Sequence, residues 1–380
     1  MSEIYRLSAP VVMGVEGICA DELKRADFKD VTAENGRVLF SGDLLEAARA
    51  NLWCRTAERI QILFGRFKAE TFDQLFEGVK ALPWENIIPR NGEFPVKGHS
   101  VRSKLASIPD CQKIIKKAAA VRLGSAYGLN TLPENGAKYQ IQFTILNDEC
   151  SICIDTSGEG LHKRGYRAVA STAPIRETLA AAMIYISRRR GDRPMLDPMC
   201  GSGTIPIEAA LMAGDVAPGL NRRFAIESFE GFDKAGFDLL KKEAKSRIHR
   251  FDGEILGSDI DPAVVEIANQ NAKKAGVASA VSFRNCDLGV ASYPDTGIVI
   301  CNPPYGERLG DLAEARKLVR VMGKRVKEKG IGAIIISPDV ELEKSFGREA
   351  DKKRKIYNGM IRCDVYSFRP DKRGETSFKK

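Results

Sequence analysis

The chain of 380 residues is long enough for two or three units, each with its own apolar core. Its hydrophobic content of 43% includes no apolar run near the roughly 18 residues a membrane span needs, and the polar opening Met1-Ser2-Glu3 predicts no leader. A cytoplasmic protein without a membrane partner is expected. The 59 lysines and arginines against 50 aspartates and glutamates leave a formal charge of +9, which suits a polyanionic partner, although a generically basic enzyme has the same balance.

Residues 1–64 read as a small α+β unit. Alternating or β-branched runs at 10–14, 37–40 and 60–64 predict strands, and apolar spacing over 16–24 and 44–54 predicts helices. Residues 65–157 form a second segment. It opens on a helix spaced by Phe72, Leu75, Phe76 and Val79 and passes to an extended stretch at 94–97. A helix over 110–123 follows, with Asp110 as N-cap, and then a strand pair at 139–146 and 150–155. Lys113, Lys116 and Lys117 fall on one side of that helix, away from Ile114, Ala118 and Val121. They are a phosphate-facing patch or a solvated face.

Nine cysteines are scattered along the chain, as small buried hydrophobes are in a reducing compartment. Cys150 and Cys153 form a C-x-x-C, but on a strand residues three apart point to opposite faces. With no second such pair and only three histidines, no structural metal is expected.

From Ala173 onward helices and strands alternate, the pattern of a doubly wound parallel sheet. Strands are predicted at 194–197, 255–258, 281–284, 297–301 and 332–337, with an antiparallel final hairpin from 354–357 and 361–368. The first strand runs into Asp197-Pro198-Met199-Cys200-Gly201-Ser202-Gly203-Thr204, a loop whose glycines let a ligand approach the backbone. A dinucleotide fold has a similar loop, but a carboxylate at Asp197 repels a pyrophosphate and suits the ammonium of a methionine moiety, and Pro206 replaces the third fingerprint glycine. S-adenosylmethionine is therefore the expected cofactor. Asp259 and Asp261 end the second strand, where ribose hydroxyls would be met, and Asp287 ends the third, where it could accept from an adenine amino group. Helix caps at Asp261 and Asp287, or a Mg²⁺ site at Asp259 and Asp261, are the alternatives.

Asn302-Pro303-Pro304-Tyr305 closes the apolar strand at 297–301. An exocyclic amine on a nucleobase is a poor nucleophile because its lone pair is delocalised into the ring. The Asn302 side-chain oxygen and a nearby main-chain carbonyl could take its hydrogens, the two prolines stiffen the turn, and Tyr305 offers a face for stacking. The motif alone does not separate adenine, guanine and glutamine amides.

Several stretches carry a resemblance to a known family. They include Arg49-Ala50-Asn51-Leu52-Trp53, Ser107-Ile108-Pro109-Asp110-Cys111-Gln112, Leu161-His162-Lys163-Arg164-Gly165-Tyr166-Arg167, Ala173-Pro174-Ile175-Arg176-Glu177-Thr178, the 197–204 loop and the stretch 302–310. Nearly the whole chain resembles class I methyltransferases of the THUMP-containing, RlmL-like type, which act on the N2 position of guanine in 23S rRNA. The resemblance implies a fold of ferredoxin-like (1–64) and THUMP (65–157) domains before a Rossmann-like methyltransferase domain (166–380). It also accounts for the span of about sixty residues between Asp197 and Asp259, where a nicotinamide fold expects roughly twenty. By this match Asp197, Cys200, Gly201, Gly203, Thr204, Asp259, Asp261, Asp287 and Asn302 would hold S-adenosylmethionine. Asn302, Pro303, Pro304 and Tyr305 would hold the guanine. The lysine face and Lys163, Arg164 and Arg167 would meet RNA phosphates, with 23S rRNA favoured and tRNA as the alternative. Adenine-N6 methylation, glutamine methylation of a protein, and a non-catalytic RNA-binding assembly factor stay open.

Overall fold

Two seven-stranded sheets carry the chain, described by a computed structural model over residues 3–167, 175–188, 193–304, 312–359 and 361–370. The first combines β1 (Tyr5–Pro10), β2 (Lys29–Glu34), β3 (Arg37–Gly42), β4 (Gln61–Lys68), β5 (Val96–Val101), β6 (Ile141–Leu146) and β7 (Glu149–Asp155). Their order is β2-β3-β1-β4-β7-β6-β5. β4 is the seam, since it pairs with β1 through Gln61 and Ile62 and with β7 along its whole length. The boundary expected after residue 64 thus falls inside β4, and the two front units share one sheet.

Helices α1 (Glu16–Arg25), α2 (Leu44–Trp53), α3 (Phe72–Lys80) and α4 (Ile108–Tyr127) accompany this sheet. Local chemistry sets their starts. Asp43 accepts from the Glu46 N–H at 2.9 Å, and Thr71 accepts from Gln74 at 3.2 Å. The N-cap of α4 is Ser107 instead of Asp110, whose carboxylate lies in the first turn and accepts from the Ser107 hydroxyl at 2.5 Å. The expected strand at 10–14 is also displaced: the strand is β1, where Leu7 and Ala9 are buried between two partners, and Gly14 turns the chain at φ +94°. Cys150 and Cys153 are both buried because both faces of β7 are covered.

The second sheet holds β8 (Met195–Asp197), β9 (Ile255–Asp259), β10 (Ser282–Asn285), β11 (Ile298–Cys301), β12 (Gly332–Ser337), β13 (Lys352–Asn358) and β14 (Ile361–Phe368). Its order is β10-β9-β8-β11-β12-β14-β13, parallel from β10 to β12 and antiparallel in the final hairpin. The chain lays down β8, β9 and β10 outward, then returns to place β11 on the other side of β8. That reversal opens a crevice beyond the carboxyl ends of β8 and β11.

Around this sheet pack α5 (Glu177–Ser187), α6 (Thr204–Ala213), α7 (Lys234–Ser246), α8 (Pro262–Ala275), α9 (Leu312–Lys329) and α10 (Leu342–Phe346). α5 is buried from Glu177 to Ile184 because the sheet lies on one side of it and α1 on another, so one apolar core runs from Leu7 and Phe40 through α5 and α6 to Ile336. The other face of the second sheet has its own core around Val299, Ile335, Met322 and Phe368.

The connector after β7 is bound to both halves. Arg164, expected at a phosphate, is instead buried. It donates to the carbonyls of Leu161 at 2.8 Å and Arg55 at 2.5 Å and lies 3.5 Å from the carboxylate of Glu208, which is fully buried in α6 and also accepts from the Tyr166 hydroxyl at 3.0 Å. A carboxylate inside an apolar helix needs a counter-charge, and Arg164 supplies it. Arg164→Ala is expected to cost about 3–5 kcal/mol, because it leaves the Glu208 charge unpaired. Lys163→Ala, next to it and 59% exposed, should change stability by less than about 0.5 kcal/mol. Urea unfolding of the two variants side by side checks this.

Candidate active site

The crevice at the strand reversal is a cleft of about 400 Å³. Asp197, Asp259, Asp261 and Asp287 line it together with Cys200, Gly201, Thr204, Asn302 and Pro304, so most of the residues expected to contact a cofactor meet here. Apolar side chains complete the wall: Ile175, Ile205, Ile260, Val264, Leu288 and Leu318.

Asp197 ends β8 and is 2% exposed. Burial pushes its carboxyl up to about 7, with the Asp259 charge adding to the rise; the Met199 N–H and the Cys301 thiol oppose it. The neighbouring thiol of Cys200 is also pushed up by burial and by the same two carboxylates, so it stays protonated and acts as apolar wall. Asp259 fixes the glycine loop, for one oxygen accepts from the Gly201 N–H at 2.9 Å and the other from Asp261 at 3.1 Å. Asp261 caps α8 through the Ala263 N–H at 2.8 Å, and Asp287 accepts from Gly289 at 2.7 Å. Each of these acids keeps lone pairs for a ligand while its own backbone bond holds it in place.

The two loop glycines do different work. At Gly201, φ is +51° and a Cβ would meet open space, so the backbone is bare toward the cleft. Gly203 does not line the cleft, contrary to expectation. At φ +81° it packs so closely under Phe283 that a Cβ would lie 2.7 Å from the ring, and its role is to seat the start of α6.

Asn302 follows β11, and its side-chain oxygen is buried with no hydrogen-bond partner among the described residues. Pro303 is buried behind it and Pro304 lines the cleft, while Tyr305 lies outside the described residues. Ser202 was missed by sequence reasoning; its hydroxyl is buried and unpartnered at the cleft wall. Ile175 was missed too, because nothing in its local pattern marks an isoleucine 22 residues before Asp197 as a neighbour of that acid.

The expected phosphate contacts divide. Lys113 is 79% exposed, with Asp110 at 3.9 Å, and Lys117 is exposed with its ammonium 6.0 Å from the Phe76 ring. Lys163 is exposed and pairs with Glu159 at 3.1 Å. Lys116 is not free: its ammonium sits 3.5 Å over the Phe94 ring, donates to the Phe94 carbonyl and pairs with Glu134. Arg167 is held inward by Thr204, the Ile175 carbonyl and Glu177. Val121, expected on the buried side of α4, is 43% exposed.

Among the described residues no lysine or arginine lines the cleft. A pyrophosphate would find four aspartates and no cation there. A ligand with an ammonium and a sulfonium, ribose hydroxyls and a flat base fits this donor and acceptor set. Among the described residues the one cluster at metal-ligand distances is Cys19, Glu22 and Cys54, away from the cleft, and Glu22 already accepts from Arg55, Thr56 and Tyr185.

Comparison with known proteins agrees with this geometry. Residues 164–367 match the RMKL-like methyltransferase domain, 6–61 the RlmL ferredoxin-like domain and 69–155 the THUMP domain. YpsC of Bacillus subtilis (strain 168), which carries the name of an RNA methyltransferase, is 41% identical over 96% of each chain. The ribosomal RNA large subunit methyltransferase K/L of Shewanella baltica (strain OS195) is 34% identical over 92% of this chain, which spans only 51% of that longer protein. The crystal structure of SMU.472 complexed with SAH superposes with a TM-score of 0.91 at 40% identity, covering 98% of this chain and 100% of the other.

Substitutions at the two glycines separate their roles. Gly201→Ala and Gly203→Ala both place a side chain at positive φ, at roughly 1–3 kcal/mol each, but only Gly203→Ala also meets a packed ring. The melting temperature of Gly203→Ala is therefore expected to fall clearly further than that of Gly201→Ala, as differential scanning calorimetry will read.

Proposed function

The chain belongs to the RMKL-like methyltransferase family, and from that premise we propose that it transfers a methyl group from S-adenosylmethionine to the exocyclic N2 amine of a guanine in structured RNA, most specifically 23S rRNA. The observation that carries this reading is the Asn302 side-chain oxygen, buried and unpartnered at the carboxyl end of β11. A buried acceptor without a donor costs about 1–3 kcal/mol, so it calls for a ligand N–H. The THUMP match and the rRNA methyltransferase relatives support RNA as the molecule that presents it.

Asp197 would take the ammonium of the methionine end, Asp259 and Asp261 the ribose hydroxyls, and Asp287 the adenine amine. When bound, S-adenosylmethionine supplies an electrophilic methyl group. The Asn302 oxygen accepts one hydrogen of the guanine amine and draws electron density back onto its nitrogen, while Pro303 and Pro304 hold the carbonyl and amide of this turn rigid. Positioning of this kind can remove on the order of 7–11 kcal/mol from a barrier, and no general base is needed before attack, because the nitrogen, once methylated, gives its surplus proton to solvent. Lys113, Lys117 and Lys163 are the exposed cations offered to phosphates.

Asn302→Ala is expected to lower the single-turnover rate by about 10²-fold or more, by the precedent of losing one preorganised polar contact. Affinity for S-adenosylhomocysteine should stay within about threefold of the unaltered chain, since binding the cofactor's other groups does not depend on this oxygen. The assay uses rRNA from a strain lacking the protein; full activity in the variant would remove the amine-holding role.

The raised Asp197 carboxyl gives a second test. An acid whose folded pKa lies above its ordinary value, here about 7 against 3.8, loses folded stability as pH climbs between those values. Binding an ammonium requires the ionised form, so affinity for S-adenosylmethionine should rise about fivefold from pH 6 to pH 7, with proton release on binding, and fall again above about pH 8, where the ligand's own α-ammonium loses its proton. Calorimetric titration in buffers of different ionisation enthalpy reads both, and Asp197→Asn should flatten the profile.

A further inference from the structure

Arg167 stands in a basic stretch that reads as a phosphate contact, yet its guanidinium points into the protein. One terminal nitrogen, Nη2, lies 3.2 Å from the Ile175 carbonyl, 3.0 Å from the Thr204 hydroxyl and 3.2 Å from the Glu177 carboxylate. These three partners come from different places. Ile175 forms one wall of the cleft, Thr204 forms another as the first residue of α6, and Glu177, 2% exposed, opens α5.

Thr204 has little else to hold it. The N-cap of α6 is Gly203, which brings no side chain, and the first turn contains no acid. A hydroxyl that accepts from a guanidinium must direct its own hydrogen elsewhere, because its oxygen carries one O–H and two lone pairs. With Arg167 on one lone pair, the hydrogen of the Thr204 hydroxyl is left for another acceptor, and Thr204 lines the cleft. Hydroxyl and amide side chains on the wall are few, Thr204, Ser202 and Asn302, against four aspartates. A cofactor with a carboxylate end needs such a donor.

We propose that Arg167 is a positioning residue for cofactor binding: its guanidinium ties the Ile175 wall to the start of α6 and fixes the Thr204 hydroxyl as a donor into the cleft. This rests on the assignment of the cleft to S-adenosylmethionine. The substrate RNA is not involved, so the effect belongs to affinity for the cofactor and not to the rate at saturation.

The test is calorimetric titration of the full chain, without RNA, with S-adenosylhomocysteine and S-adenosylmethionine. Arg167→Ala and Thr204→Val should each weaken binding about tenfold, and the double variant should be no weaker than the weaker single, since both break one unit. Thr204→Ser, which keeps the oxygen, should bind within about threefold of the unaltered chain. In turnover assays KM for the cofactor should rise while kcat at saturation stays within about threefold. Multiplicative losses in the double variant, or a lowered melting temperature of Arg167→Ala with unchanged affinity, would overturn the positioning role alone. If Arg167→Ala does not fold, Thr204→Val and Thr204→Ser decide: equal affinity in both overturns it. Failure of the unaltered chain to bind either ligand would overturn the cofactor assignment itself.

Discussion

Four aspartates share one cleft with no cation on its walls among the described residues, and the rest of the site follows from how the fold tolerates that. Like charges this close repel, and burial further disfavours the charge of Asp197, which is 2% exposed. Three are held by main-chain N–H groups at turns that follow strands: Asp259 by Gly201 and Asp261, Asp261 by Ala263, and Asp287 by Gly289. Burial pushes the Asp197 carboxyl up to about 7 although the Met199 N–H, at 3.3 Å, and the Cys301 thiol oppose the rise. The cleft is thus preset for a cation at one end and for hydroxyl and amine donors along its length.

This arrangement has to be held rigid, and the front sheet contributes. Glu22 on α1 accepts from the Arg55 and Thr56 N–H groups and from the Tyr185 hydroxyl on α5. Arg164 reaches back to the Arg55 carbonyl, and Arg55 in turn donates to the Val216 carbonyl at 2.8 Å, beyond α6. These polar ties sit within an apolar core that runs through α1, α5 and α6, so shifting the front sheet would expose apolar surface and unpair buried charges together. The helices that frame the cleft are fixed from behind by residues more than a hundred positions earlier.

The second sheet was legible because its signals are local. β8, β11 and β12 are apolar, largely buried runs that end in polar turns, and β12 is predicted at the residues where it is found; β10, Ser-Phe-Arg-Asn and mostly exposed, is the exception. β2 was not legible: its Lys-Asp-Val-Thr-Ala-Glu run is mostly exposed, and it is a strand only because β3 lies beside it. The basic residues divide on the same ground. Lys113 and Lys163 look solvated and are, whereas Arg164 and Arg167 look identical in sequence but meet Glu208 and Glu177, carboxylates 44 and 10 residues further on. A run of charges shows that a counter-charge is possible; only the tertiary fold brings it near. Asn302 was readable as an acceptor from its motif, but not its lack of a partner.

A cleft of about 400 Å³ is at the lower end of what small-molecule sites occupy, roughly 300–1,000 Å³, so a nucleoside cofactor leaves little of it for a second base. On the proposed reading a target base reaches Asn302 from outside the space the cofactor fills and is drawn out of its stack to do so. Asn302 accepts from any planar amine and does not distinguish guanine from adenine by its oxygen alone. On that reading, discrimination has to come from contacts to the ring edges and from which nucleotide the RNA can present.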